Sequence, residues 1–294
     1  MGYLIYLVSI VMIFVVLATS LNLVFGWTGL LAVTHAAFMG IGAYVTALLM
    51  IRARWDFVPA LLAGALVAMI LGWVVGRITL RLQEEYYVIA SFGFQVIMYN
   101  VFNNLVGVTG GPMGLTGVPS PDLFGTKFGG QTGGLLIVLL LAAPVLWAIH
   151  RIGQSPYGRV LRAIREDEDL ARSLGKDVAR YKASVFAICA AFAALAGGLF
   201  ATILRFVHPS SFNIHEAILI LSMVIIGGSG NFWGGVLGAV LLTLLPEALS
   251  FFTALDDIAP QLRQITYSVL IILFLYLRPS GLIRETDGGS RQGA

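Results

Sequence analysis

The stretch from Ser155 to Lys176 carries the most chemistry per residue in the chain: Arg159, Arg162, Arg165 and Arg172 alternate there with Glu166, Asp167, Glu168 and Asp169. Guanidinium and carboxylate groups mixed in this way make charge-assisted hydrogen bonds to another protein. They equally suit a solvated surface helix that binds nothing. Gly175-Lys176 is followed by Asp177 and lacks the upstream glycine of a phosphate loop, so ATP hydrolysis by that route is not expected of this chain. Elsewhere chemistry is sparse. His35 lies in an apolar run and calls for a partner; a neutral, hydrogen-bonded histidine, a pore-lining ring and a metal ligand are the three readings, the last opposed by the absence of a second ligand three or four residues away. Ser91 and Gln95 are four residues apart and share a helix face, suited to bonding a neighbouring helix or lining a watery path. Glu216 and Glu247 are too few for a proton relay, although sodium sites built from carbonyl oxygens escape that argument. Cys189 is the one cysteine and has no intrachain disulfide partner. No catalytic constellation and no metal cluster follows from these residues.

These groups need elements to hold them. Ser155 suits a helix N-cap with Pro156 at the first helical position, and Gly175 suits a left-handed C-terminal cap. Leu161, Ile164, Leu170, Ala171 and Leu174 give an interrupted apolar side, so the spacing predicts one amphipathic helix from Ser155 to Gly175. Two glycine clusters interrupt the apolar sequence: Phe25-Gly26-Trp27-Thr28-Gly29, leading through Thr34, His35 and Phe38 to Gly42, and Gly227 through Gly235 with Gly230 at its centre. Both are expected helix breaks, read either as close packing through small residues or as the lining of a path. The loop 108–119 is rich in glycine and proline and is expected to be a series of ordered turns.

Composition names the solvent of these helices. Of 294 residues 58% are hydrophobic and 11% charged, with a mean hydropathy of +0.90, which excludes an ordinary soluble domain, a disordered chain and a coiled coil. Apolar segments fall at about 3–25, 30–51, 58–76, 86–106, 134–150, 183–204, 216–226, 236–251 and 264–277. Continuous apolar runs without period-two alternation predict helices, not a membrane barrel. The fold class expected is all-α, a polytopic membrane protein of roughly nine transmembrane or re-entrant helices, forming one domain over residues 1–294. The first residues enter apolar sequence without a basic region or small-residue cleavage site, so no removable signal peptide is expected. Thirteen of the 18 basic residues fall on the side of the loop 151–182, which places that loop and the tail 279–294 in the cytoplasm and, with nine crossings, the N-terminus outside. The excess of basic residues marks topology; no nucleic-acid partner is indicated. A mixed-charge cytoplasmic helix on a chain without its own ATPase motif or ion relay fits energy supplied by an ATPase in trans.

Five stretches together carry a resemblance that covers most of the chain. They are Ser20-Leu21-Asn22-Leu23 with Gly26, Gly29 and residues 35–44; residues 86–94; residues 109–115; residues 158–181; and residues 227–238 with Arg278-Pro279-Ser280-Gly281-Leu282. The chain resembles the branched-chain amino acid ABC transporter permeases, in particular their LivM subfamily. Residues 162–168 with Ala171 and Gly175 match the family's ATPase-coupling segment, while Thr34 stands where serine is expected and Lys176-Asp177 where an Ile-Asn type of pair is expected. The resemblance implies a permease subunit that imports leucine, isoleucine and valine and is no enzyme. It implies a sister permease subunit, two ATPase subunits holding ATP and magnesium, an extracytoplasmic substrate-binding protein, and a bacterial inner membrane. It makes Arg159, Arg162, Arg165, Glu166, Asp167, Glu168, Asp169, Arg172 and Gly175 the coupling residues. Gly26, Gly29, Thr34, His35, Phe38, Ser91, Gln95 and Gly230 are the expected lining of the path, and no cofactor is expected on this chain. Permeases for urea, short amides or other amino acids, and an ion-coupled secondary transporter, are the alternatives.

Overall fold

The computed structural model describes residues 2–79, 84–123, 126–127, 130–252, 269, 272 and 282–283. Eleven α-helices are present among them: α1 (Gly2–Thr28), α2 (His35–Arg52), α3 (Phe57–Thr79), α4 (Glu84–Asn104), α5 (Val106–Thr109), α6 (Gln131–Gln154), α7 (Pro156–Glu166), α8 (Glu168–Ser173), α9 (Val178–Leu204), α10 (Ile214–Gly227) and α11 (Phe232–Phe252). Six helical stretches are long and apolar enough to cross a membrane: α1, α2, α3, residues 132–154 of α6, α9, and residues 209–227 ending in α10. α4 and α11 also coincide with expected segments. The ninth segment, 264–277, lies outside the described residues apart from 269 and 272, as does almost all of the tail 279–294.

The all-α expectation needs one small correction. Four two-residue strands form in the connections: β1 (Leu115–Thr116) pairs antiparallel with β4 (Phe206–Val207), and β2 (Asp122–Leu123) pairs with β3 (Thr126–Lys127). They appear because a connection leaving helical geometry still has backbone donors and acceptors to satisfy.

α2 and α9 form the centre, and small residues let their backbones meet. A Cβ on Gly42 would lie 2.1 Å from the Ala194 carbonyl oxygen, and one on Gly197 would lie 1.9 Å from that of Met39. α3 packs against both, with Gly64 against Gly42 and Thr46 of α2, Gly72 against Ala190 and Gly76 against Phe186 of α9. α6 and α11 carry Pro144 and Pro246 in their interiors, where proline removes a ladder donor and bends a helix.

The two ends of the bundle differ. At one end Arg52 at the end of α2 donates to the Gly107 carbonyl at 2.8 Å, and His208 bonds the Pro112 carbonyl at 2.9 Å. Tyr6, Ser9, Gly130, Gly134, Thr202 and Arg205 surround a cavity of about 330 Å³ there, so the start of α1, the start of α6 and the end of α9 share this end. The opposite, basic end gathers the end of α1, the end of α6, α7, α8, the start of α9 and the α10–α11 junction. Tyr3 donates to Glu247 near the first end, while Leu282 N–H donates to the Ile226 carbonyl at the basic end.

Candidate functional site

The charged stretch is not one helix. Ser155 caps α7 as expected, accepting from Gly158 N–H, but α7 stops at Glu166 and a separate α8 begins at Glu168. Asp167 between them is extended (φ −154°, ψ 107°), and its carboxylate accepts from Leu170 N–H at 2.9 Å, capping the second helix. A short acidic side chain that can bond the backbone two or three residues on competes with helix continuation, and here it wins. Gly175 closes α8 with φ +77°, the left-handed value that glycine adopts without strain.

α7 seats Gly158, Leu161 and Ile164 against the bundle. Two of its three arginines bond helix ends while remaining exposed. Arg165 donates to the Gly26 carbonyl, one of the last carbonyls of α1, which have no intrahelical donor. Arg162 donates to the Gly153 carbonyl at 2.8 Å in the last turn of α6, and its guanidinium lies 5.4 Å from the centre of the Trp27 ring. Cations at helix C-termini are favoured by the helix dipole as well as by these bonds.

Trp27 connects this helix to the second glycine break. Its indole N–H donates to the Gly230 carbonyl at 2.7 Å, and its ring packs so tightly on Gly153 that a Cβ there would lie 1.5 Å away. Asn22, one turn earlier in α1, accepts from Gly230 N–H at 2.9 Å and donates to the Asn231 carbonyl at 2.7 Å. A Cβ on Gly26 would lie 2.3 Å from Gly230 N. The two breaks, 200 residues apart in sequence, are therefore one junction. Gly29 (φ +75°) follows the end of α1, Gly228 (φ +109°) caps α10, and Gly230 (φ +87°) lies in the turn that leads into α11.

The remaining expected path residues cluster elsewhere, around the start of α2. Ser91 accepts from Val33 N–H at 3.2 Å; Gln95 accepts from Ala37 N–H at 2.7 Å and donates to the Phe212 carbonyl at 2.8 Å. Thr34 leaves the α2 cap without a side-chain bond, so Gln95 from α4 satisfies an amide that no local residue does. Phe38 packs against Phe94 (ring centres 5.3 Å apart) and edge-on to Phe186 (5.6 Å). Thr34 and His35 are buried, and their side-chain polar atoms have no hydrogen-bond partner among the described residues. That corrects the reading of His35 as a hydrogen-bonded core histidine, since neither ring nitrogen has a partner among the described residues.

The residues expected to couple to an ATPase divide by partner. Glu168 bonds Arg172 at 2.5 Å and the buried Lys182 of α9 at 2.6 Å, and Asp169 bonds Arg172 at 3.0 Å. Arg159 and Glu166 are exposed. Tyr157 reaches Ser184 at 2.6 Å, and burial pushes its phenol up to about 12, keeping it protonated. Asn22, Trp27 and Lys182 are the residues that sequence reasoning left out of the site. Asn22 in an apolar helix was the available signal, whereas nothing local marks Trp27 as a donor to Gly230.

Comparison with known proteins shows the family. Residues 3–275 match the family described as "Branched-chain amino acid transport system / permease component". The chain is 35% identical over 301 residues to the high-affinity branched-chain amino acid transport system permease protein LivM of Salmonella typhimurium, covering 95% of this chain and 69% of that protein. It is 30% identical over 242 residues to a probable LivM of Methanocaldococcus jannaschii, covering 76% and 68%. With the LivH permease of Escherichia coli it shares 26% identity over 296 residues, covering 93% and 92%. No solved structure matches. The chain, a multi-pass membrane protein whose two glycine breaks meet beneath an amphipathic basic helix, belongs to the family of permease components of branched-chain amino acid transport systems.

Proposed function

We propose that this permease component imports leucine, isoleucine and valine across a bacterial cytoplasmic membrane, driven by two ATPase subunits that grip α7 and α8 from the cytoplasm. The bonding of α7 to the end of α1, where Trp27 and Asn22 hold the second glycine break, carries the reading, because a force applied to that helix passes to the places where α1 and α10 end. The exposed Arg159 and Glu166 then face the ATPase, with Arg172 and Asp169 beside them. A sister permease completes the pair, and a substrate-binding protein delivers solute to the end that holds Arg52 and His208. Nine crossings, with the N-terminus outside and the tail inside, fit a chain that leaves α11 at the far end and returns at Leu282 to the basic end. Gly26, Gly29, Thr34, His35, Phe38, Ser91, Gln95 and Gly230 line the path on this reading. Uncharged walls and freed backbone groups suit a zwitterion passing through without tight binding. ATP and magnesium sit on the partner subunits.

Reconstituting the chain with its partner permease, ATPases and binding protein in liposomes tests this. Labelled leucine should enter only with ATP, and valine should compete. Uptake by the permease alone under an ion gradient would replace the proposal with a secondary transporter, and competition by urea or short amides, but not by valine, would replace the substrate.

A further inference from the structure

We infer that Arg162 and Arg165 are positioning residues that tie α7 to both glycine breaks, so that α7, the end of α1 and the α10–α11 junction move as one body. The inference rests on the importer reading above and concerns how movement passes through the site. It also reassigns two residues expected to serve as donors to the ATPase.

The bonds form an unbroken series. Arg165 holds the Gly26 carbonyl of α1. Arg162 holds the Gly153 carbonyl of α6 and covers the Trp27 ring. Trp27 holds the Gly230 carbonyl, and Asn22 holds Gly230 and Asn231 on either side of it. Beyond the break, Leu282 and Ile283 amides donate to the Ile226 and Gly227 carbonyls. The acceptors on α1 and α6 are helix-terminal carbonyls, which no ladder donor would otherwise reach. The tie therefore replaces bonds the helices lack and costs none they have. It is rigid where it touches glycine: neither Gly26 nor Gly153 has room for a Cβ beside its neighbour, so the parts cannot slide without separating. The apolar face of α7, with Leu161 and Ile164 buried, holds the helix down, but the arginines fix its position along the junction.

The two arginines differ in what they require. The bond that Arg165 makes to the Gly26 carbonyl is one that a lysine ammonium also makes. Arg162 uses a planar guanidinium to cover an indole while bonding a carbonyl, which lysine reproduces less well.

The test uses the complete transporter in liposomes with its binding protein, measuring leucine imported per ATP hydrolysed, subunit stoichiometry after purification, and the distance between spin labels at Ala163→Cys and Ser229→Cys. Losing two charge-assisted bonds in R162Q/R165Q should lower leucine per ATP about tenfold. Subunits should still purify together, because the exposed Arg159, Glu166, Asp169 and Arg172 are kept. Trp27→Phe, which keeps a ring over Gly153 but removes the donor to Gly230, should shift the ratio in the same direction. R165K should restore most of the ratio and R162K less of it. In the wild type the label distance should stay the same with and without a nucleotide analogue, and in R162Q/R165Q it should broaden when nucleotide binds. ATPase subunits lost in parallel with uptake would make the arginines docking residues and overturn the inference, as would an unchanged ratio and an unchanged label distance in R162Q/R165Q. A wild-type complex that imports leucine without hydrolysing ATP would overturn the importer reading instead, and the label distance would still report whether α7 and the break move together.

Discussion

Gln95 shows how a single side chain in an apolar bundle is committed. Both ends of its amide are engaged, with the Ala37 amide at 2.7 Å and the Phe212 carbonyl at 2.8 Å, and the residue has no exposure. Replacing it by leucine leaves a donor and an acceptor buried without partners, each costing about 1–3 kcal/mol. Ser91→Ala removes the acceptor for Val33 N–H, at a longer 3.2 Å, together with a donor to the Val88 carbonyl of its own helix at 2.8 Å. Thermal unfolding of the purified protein in detergent should therefore show a larger drop for Gln95→Leu than for Ser91→Ala. The reverse order would mean that Gln95 is held for the path and contributes little to the fold. His35 and Thr34 are the contrasting case, since their polar atoms are buried without partners. On the path proposed above, theirs are the polar atoms of this cluster that a passing solute would bond.

Among the elements, α2 and α9 depend on an absence of side chains. With Gly42 facing Ala194 and Gly197 facing Met39, the backbones approach closely, and in lipid such packing replaces the hydrophobic driving force between helices. Gly42→Val places atoms where the Ala194 carbonyl already stands, and overpacking of this kind costs about 1–3 kcal/mol or more. The variant should give a lower yield of folded protein and a lower melting temperature. Gly93→Val, on α4 with open space around its Cα, should melt within a degree or two of the wild type because nothing there must move. Equal losses in both variants would show that helix propensity, and not the α2–α9 seam, sets the stability.

For the molecule as a whole, orientation is the testable quantity. Thirteen basic residues on one side against five on the other predict α7 and α8 in the cytoplasm and the turns near Met113 outside. Met113 is 84% exposed and Lys176 is exposed at the other end, while Cys189, the only native thiol, is fully buried. In right-side-out vesicles an impermeant thiol reagent should label Met113→Cys and leave Lys176→Cys untouched until the membrane is opened. Labelling of Lys176→Cys alone would invert the topology and remove α7 from the ATPase side.

Much of this was legible in the residues themselves. Apolar runs, glycine clusters and the skewed arginine count each act locally or through the bilayer, so the helices, the breaks and the expected orientation follow from composition along the chain. Ser155 and Gly175 marked the limits of the charged stretch for the same reason: caps depend on a few neighbouring residues. The split at Asp167 escaped because an acidic residue within an acidic run gives no sign of which amide its carboxylate will take. The junction of Gly26 with Gly230 was not legible at all. Two breaks 200 residues apart meet only after α1 and α11 have packed, and their pairing through Asn22 and Trp27 is a long-range contact with no local period. The bonding of Arg162 and Arg165 to helix ends has the same cause. Sequence gave them the face of a surface helix, but their acceptors, the terminal carbonyls of α1 and α6, are brought within reach only by the tertiary structure.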